Sequence, residues 1–148
     1  MTSTAQSALR LRKIVLASLL AIICVAILVA VFQNRQWKIP EEAKLRKNPV
    51  EPSPTALAAA RAIYLDKCVQ CHGESGKGDG SDAKMYYPPP ARFNDAKHMN
   101  AVTDGELFYE ISQGRKPMPA FKKRLSEEQR WQLVLLVRSF AAAESSNH

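Results

Sequence analysis

Cysteine is scarce in this chain, with three in 148 residues. That excludes a disulfide framework, which takes several paired cysteines to staple a small fold. Histidine is equally scarce, also at three. No internal repeat is visible, so nothing points to a solenoid or propeller. The net charge of +7 is unevenly spread: residues 1–53 hold eight basic and three acidic residues, whereas 54–148 hold thirteen and eleven. The basic balance therefore reports the N-terminal third and gives no sign of a nucleic-acid surface. Large aliphatics are also sparse between residues 73 and 102, a stretch with glycines and three consecutive prolines.

The apolar content is concentrated in one place. Residues 14–32 read IVLASLLAIICVAILVAVF, nineteen positions without a charge. As a helix this run spans roughly 28 Å, close to the ~30 Å hydrocarbon core of a bilayer. It lacks the polar stripe of a buried core helix, so it reads as a transmembrane anchor. It is longer than the apolar region of a signal peptide, and Val31-Phe32-Gln33 is a poor cleavage context, so the anchor is expected to be retained. Ile23 precedes Cys24 where a lipoprotein cysteine would follow a small residue, so Cys24 reads as an apolar residue of the span. Basic residues flank both ends, with Arg10, Arg12 and Lys13 before and Arg35, Lys38, Lys44, Arg46 and Lys47 after. The charges immediately before the span favour a cytoplasmic N-terminus over residues 1–13. The span lacks a GxxxG pattern, which favours an anchor without an obvious helix partner.

Residues 33–53 carry three prolines among alternating charges and read as an extended, semi-rigid tether, with a short helix possible in EEAKLRK. Residues 54–148 read as a small all-α domain. Ser53 caps a helix with Pro54 at its first position, and TALAAARAIYLDKC continues it. Thr103-Asp104-Gly105-Glu106 is a capping box opening a helix that stops at Gly114. Ser126-Glu127-Glu128-Gln129 is a second, opening the helix that contains RWQLVLLVRSFAAA. Three helices around a loop of about thirty residues make a thin core, and such a domain often borrows its core from a metal or cofactor.

Cys68-Val69-Gln70-Cys71-His72 supplies the candidate. A C-x-x-C pair serves a dithiol redox site, half of a zinc site, or covalent haem attachment. Zinc needs two further Cys or His ligands at matching spacing, and only His98 and His148 remain. A thioredoxin-like dithiol wants a βαβ context that this helical pattern lacks. A histidine directly after the pair matches the haem c attachment pattern. One helical turn places both thiols on one side for thioethers to the haem vinyl groups and directs His72 under the iron. The candidates for the opposite position are Met85, Met99, Met118 and His98. Met118 is favoured because it lies between Pro117 and Pro119, which restrict the chain that presents it. A thioether opposite an imidazole suits an electron carrier.

CVQCHG, GKGDG at 76–80, PPPARF at 88–93, MPAF at 118–121 and a C-terminal amphipathic helix together resemble class I c-type cytochromes, over roughly residues 54–142. The likeness is to bacterial monohaem cytochromes and to the cytochrome subunits of membrane oxidases. It implies a small class I fold wrapped on one covalent haem c, with first and last helices crossing so that Ala59, Ala60 and Tyr64 approach Leu136 and Phe140. It also implies that a proline carbonyl, from Pro88, Pro89 or Pro90, accepts the Nδ1 proton of His72. Pro90 enters the expected site on that ground, and Arg92 enters it as a partner for a haem propionate.

The resulting expectation is a single-pass protein of the bacterial cytoplasmic membrane whose haem domain faces the periplasm. It passes single electrons between respiratory-chain partners and is not an enzyme by itself. The alternative is a dedicated haem c subunit of a larger membrane oxidoreductase or terminal oxidase, and a sensor or peroxidase with an exchangeable ligand is a third class. The loop RKPMPAFKKR, residues 115–124, puts five positive charges on the Met118 side with no acid between Glu110 and Glu127, which would fit an acidic docking face on a redox partner.

Overall fold

The computed structural model describes residues 2–34 and 37–145. The chain forms two compact units, Met1–Lys38 and Ile39–His148. In the first, helix α1 runs Thr2–Asn34. Within it Arg12–Ala30 is, among the described residues, the one helical stretch long and apolar enough to cross a membrane. It is exposed on all sides and has no polar face to turn to water.

The second unit contains α2 (Glu41–Lys44), α3 (Pro54–Lys67), α4 (Val69–His72), a 3-10 turn at Ala83–Met85, α5 (Ala96–Ala101), α6 (Asp104–Gln113) and α7 (Glu127–Ser145). Among the described residues there is no strand, only an isolated bridge between Arg115 and Met118. The helix starts have local causes. Ser53 Oγ accepts from Ala56 N at 3.1 Å, and Pro54 follows at the first helical position. Thr103 and Glu106 form a reciprocal capping box at 3.1 and 2.8 Å. Ser126 and Gln129 do the same at 2.9 and 3.1 Å. Each cap gives two otherwise orphaned N–H groups a partner, or one in the case of Ser53.

The core lies where α3 crosses α7. Ala56, Ala60 and Tyr64 recur every four residues and are buried, so the small side chains let the helices approach closely. Tyr64 meets Phe140 with ring centroids 5.2 Å apart. Ala59 is exposed, so the expected contact face is shifted from Ala59 to Ala56. Leu133, Val134, Leu136 and Val137 of α7 are buried, with Leu107, Phe108 and Ile111 of α6 in the same cluster. Phe108 stacks on Trp131 at 4.0 Å between centroids. Arg138 ties three elements together: it pairs with Asp104 at 2.8 Å and donates to the carbonyls of Met99 and Val102.

Two regions differ from the sequence-based expectation. The compact unit begins at Ile39, so residues 39–53 of the expected tether belong to it. Ala43 is buried, Asn48 Nδ2 donates to Trp131 O at 3.0 Å, and Arg46 pairs with Glu127 at 2.5 Å. The reason is a close approach at Gly105, where a Cβ would stand 1.9 Å from Ala43 O. The irregular stretch 73–102 also contains α5, capped by Asp95, whose carboxylate accepts from His98 N at 3.1 Å. It anchors through Met99, which is buried.

Candidate functional site

The site grows from the end of α3. Cys68 closes that helix, its N–H bonding Tyr64 O at 2.8 Å, and opens the single turn α4. Cys71 N and His72 N both return to Cys68 O, at 3.2 and 2.9 Å. This turn puts residues 68, 71 and 72 around one carbonyl. The glycine-rich loop then folds back and satisfies the turn's free carbonyls: Gly78 N to His72 O at 2.8 Å, Gly80 N to Cys71 O at 3.3 Å, and Asp82 N to Gln70 O at 2.8 Å. Tyr64 Oη donates to Gly73 O at 2.7 Å and locks the turn to the core.

His72 is fixed from two sides. Its ring stacks on Phe93, with centroids 4.5 Å apart and planes at 18°. Its Nδ1 lies 3.2 Å from Ala91 O. A carbonyl only accepts, so Nδ1 carries the proton and Nε2 is left as a lone-pair donor for a metal. Burial lowers the histidine's pKa, and the Ala91 carbonyl partly opposes this. The neutral form that a metal requires is therefore favoured at ordinary pH. The acceptor is Ala91 and not one of the three prolines. The Pro90 carbonyl lies instead beside Gly78, where a Cβ would meet it at 2.7 Å.

A cleft of about 350 Å³ opens over this turn, lined by Cys68, Cys71, His72, Met118 and Pro90. Five prolines (88, 89, 90, 117 and 119) stand in its wall. Their fixed φ keeps the wall open with little ordering cost. Met118 is placed by its N–H to Arg115 O at 2.7 Å, and the loop behind it is tied to α6 by Phe121 N to Ile111 O and Lys122 N to Ser112 O, at 3.1 and 3.0 Å. Gly114, at φ 65°, makes the reversal from α6 into this loop, and a Cβ there would stand 2.7 Å from Met118 O. Of the other sulfur and imidazole candidates, Met99 is buried in the core, Met85 is 68% exposed, and His98 is exposed on α5. None of them lines the cleft. Arg92 is exposed and also stands outside the lining.

The thiols do not resemble a redox dithiol. Burial, with Cys71 adding to it, pushes Cys68 up to about 11, and burial raises Cys71 as well. Catalytic CxxC pairs carry a thiol shifted the other way. Sequence reasoning missed three members of the site. The Ala91 carbonyl has no side chain to announce it. Phe93 was visible within PPPARF but carried no signal of its place against His72. Glu110 lines the cleft from α6 and burial raises its pKa, with Arg115 opposing.

The residues present fit a haem: two adjacent thiols, an oriented imidazole and a thioether line one largely apolar cleft. An all-helical domain built around a C-x-x-C-H turn of this kind defines a c-type cytochrome. Residues 55–137 match the family model described as cytochrome C oxidase, cbb3-type, subunit III. This covers more than half of the chain, and the chain belongs to that family. Its cofactor is covalently bound haem c.

Among solved structures, the chain is similar to a chain of the Kuenenia stuttgartiensis reducing HAO-like protein complex Kustc0457/Kustc0458. There the identity is 27% and the TM-score 0.55, over 74% of this chain and 53% of that one. This chain thus spans about half the length of that relative. It is also similar to the KustC0563 c-type cytochrome, at 28% identity and TM-score 0.49, over 55% of this chain and 95% of that one. No curated protein matches the chain.

Proposed function

We propose that the chain is a membrane-anchored monohaem cytochrome that passes single electrons between redox proteins on the extracytoplasmic face of the bacterial cytoplasmic membrane. The observation that carries this reading is the convergence of Cys68, Cys71, His72 and Met118 on one cleft. In this proposal Cys68 and Cys71 would hold the haem through thioethers, and His72 and Met118 would ligate its iron. Bound there, haem would supply one-electron chemistry. The protein's own part is to hold both ligands still. Phe93 and Ala91 O fix the imidazole, and the α6-bonded loop fixes the thioether. Rigid ligands limit reorganisation between the two oxidation states. The helix Arg12–Ala30 serves as the anchor.

A second reading, a dedicated subunit of a larger membrane oxidoreductase, draws on the description of the matched family. Purification in mild detergent with mass analysis of what travels with the chain separates the two. Co-purification of a stoichiometric oxidoreductase core selects the subunit. The ligand assignment is tested by Met118→Ala: the sulfur-to-iron band of the oxidised protein in the near infrared is lost. Retention of that band, or its loss in Met99→Ala, overturns the assignment. A denaturing gel stained for haem is expected to show a band near 16.5 kDa, the mass of the whole chain. A band several kDa lighter shows a cleaved anchor.

A further inference from the structure

A second cleft, of about 200 Å³, is bounded by the segment after α2, by residues of α6 other than those facing the first cleft, and by the start of α7. Three cations line it: Arg46, Lys122 and Arg130. Arg130 is only 7% exposed. Its Nη1 donates to Ser112 Oγ and its Nε to Ser126 O at 3.2 Å, while its guanidinium lies 4.7 Å from the Phe108 ring centroid. Among the described residues Nη2 has no hydrogen-bond partner. Arg46 sits over the same ring at 4.6 Å and over Trp131 at 5.2 Å. Two guanidiniums therefore share one aromatic ring.

Burial pulls the Arg130 pKa down, Glu127 opposes, and Arg46 adds to the fall. An arginine stays charged all the same. A buried cation calls for a counter-charge. The carboxylate in the lining, Glu127, is engaged by Arg46 Nη2 at 2.5 Å. It makes no hydrogen bond to Arg130. The lining thus holds an excess of positive charge, with Lys122 in it and an Arg130 Nη2 to which no described residue is hydrogen-bonded.

We propose that this cleft binds a phosphate-type oxyanion, held by Arg130 Nη2, Lys122 and Arg46. A guanidinium fork and an ammonium are the groups that recognise phosphoryl oxygens, and an added anion neutralises the excess charge. The volume exceeds that of a bare phosphate, so a phosphate ester fits as well. The ligand is therefore either free phosphate or the phosphodiester headgroup of an anionic lipid.

The test is calorimetry on the haem-loaded full chain in neutral detergent, at constant ionic strength, with inorganic phosphate in one arm and glycerophosphoglycerol in the other. Binding in either arm is expected. Lys122→Gln and Arg46→Gln should each weaken it about tenfold, as loss of a charge-assisted contact does. Lys122→Arg should retain it. Lys123→Gln removes the same charge from an exposed residue outside the cleft and should change the affinity by less than about threefold. The visible spectrum and thermal midpoint of each variant report whether it is folded. Should Arg46→Gln fail to fold, the Lys122 pair decides. Binding of phosphate identifies a soluble oxyanion, and binding of glycerophosphoglycerol alone identifies the headgroup. The proposal is overturned by no binding in either arm, or by Lys123→Gln weakening binding as much as Lys122→Gln.

Discussion

At the scale of single residues, one buried phenol ties the CxxCH turn to the core. Tyr64 is 1% exposed and its hydroxyl donates to Gly73 O at 2.7 Å. Tyr64→Phe leaves that carbonyl without its partner and is expected to cost about 1–2 kcal/mol, read as a lower urea midpoint at unchanged slope. Glu110 gives a pH dependence. Burial raises its pKa in the folded chain above the usual glutamate value. Between the unfolded and folded values the native state binds the extra proton, so stability falls as pH rises through that window and levels off above it. Glu110→Gln should flatten this part of the curve of thermal midpoint against pH, and an unchanged curve would show that Glu110 is not its source. The motif residues were legible because spacing encodes them: C-x-x-C-H needs one helical turn and nothing distant. The acceptor for His72 was not. The proline triplet marks the right segment, but which carbonyl meets the ring depends on how residues 88–93 fold over Gly76 and Gly78. That is a tertiary matter, and it falls one residue later, at Ala91.

At the scale of elements, the helix starts at Ser53, Thr103 and Ser126 were legible for a reason of range. A cap and its partner lie within four residues, so the sequence carries both halves of the interaction. The short helices α2 and α5 were harder. EEAKLRK suggested the first as a possibility, and nothing suggested the second. Helices of four and six residues are too short to hold themselves, and each exists because it packs. Ala43 fits against Gly105, and Met99 fills the core. The turn out of α6 offers a sharper test. Gly114 has φ 65° and ψ 165°, a region open to glycine, and a Cβ there would stand 2.5 Å from the carbonyl carbon of Pro119. Gly114→Ala is expected to cost about 1–3 kcal/mol in backbone strain and to displace the loop that presents Met118. The near-infrared band should weaken while covalent haem, read on a denaturing gel, remains. An unchanged band would separate the loop's geometry from this glycine.

At the scale of the whole molecule, charge and cleft meet along residues 115–124. Arg115, Lys116, Lys122, Lys123 and Arg124 are exposed, and Arg115 also lines the large cleft. Positive charge beside a redox centre steers an acidic partner and raises the on-rate more than the affinity. Lys116, Lys123 and Arg124 lie outside both clefts, so changing all three to glutamine tests the proposed docking apart from the proposed anion site. The expected result is slower electron exchange with the native partner and a flatter salt dependence, at an unchanged visible spectrum. The Debye length falls from about 10 Å at 0.1 M to about 3 Å at 1 M, so the wild type should slow across that range. Equal rates for both proteins across the series would place docking elsewhere.

The crossing of α3 and α7 also has a consequence in time. His72 is synthesised 55 residues before Glu127, the first residue of α7. At about 5–20 residues per second that interval is roughly 3–11 s. Throughout it, α3 lacks the helix it crosses, because its main partner does not yet exist. The order of the chain leaves α3 and the CxxCH turn waiting for α7, and a chain cut before Glu127 is expected to hold that turn without the helix whose Phe140 meets Tyr64.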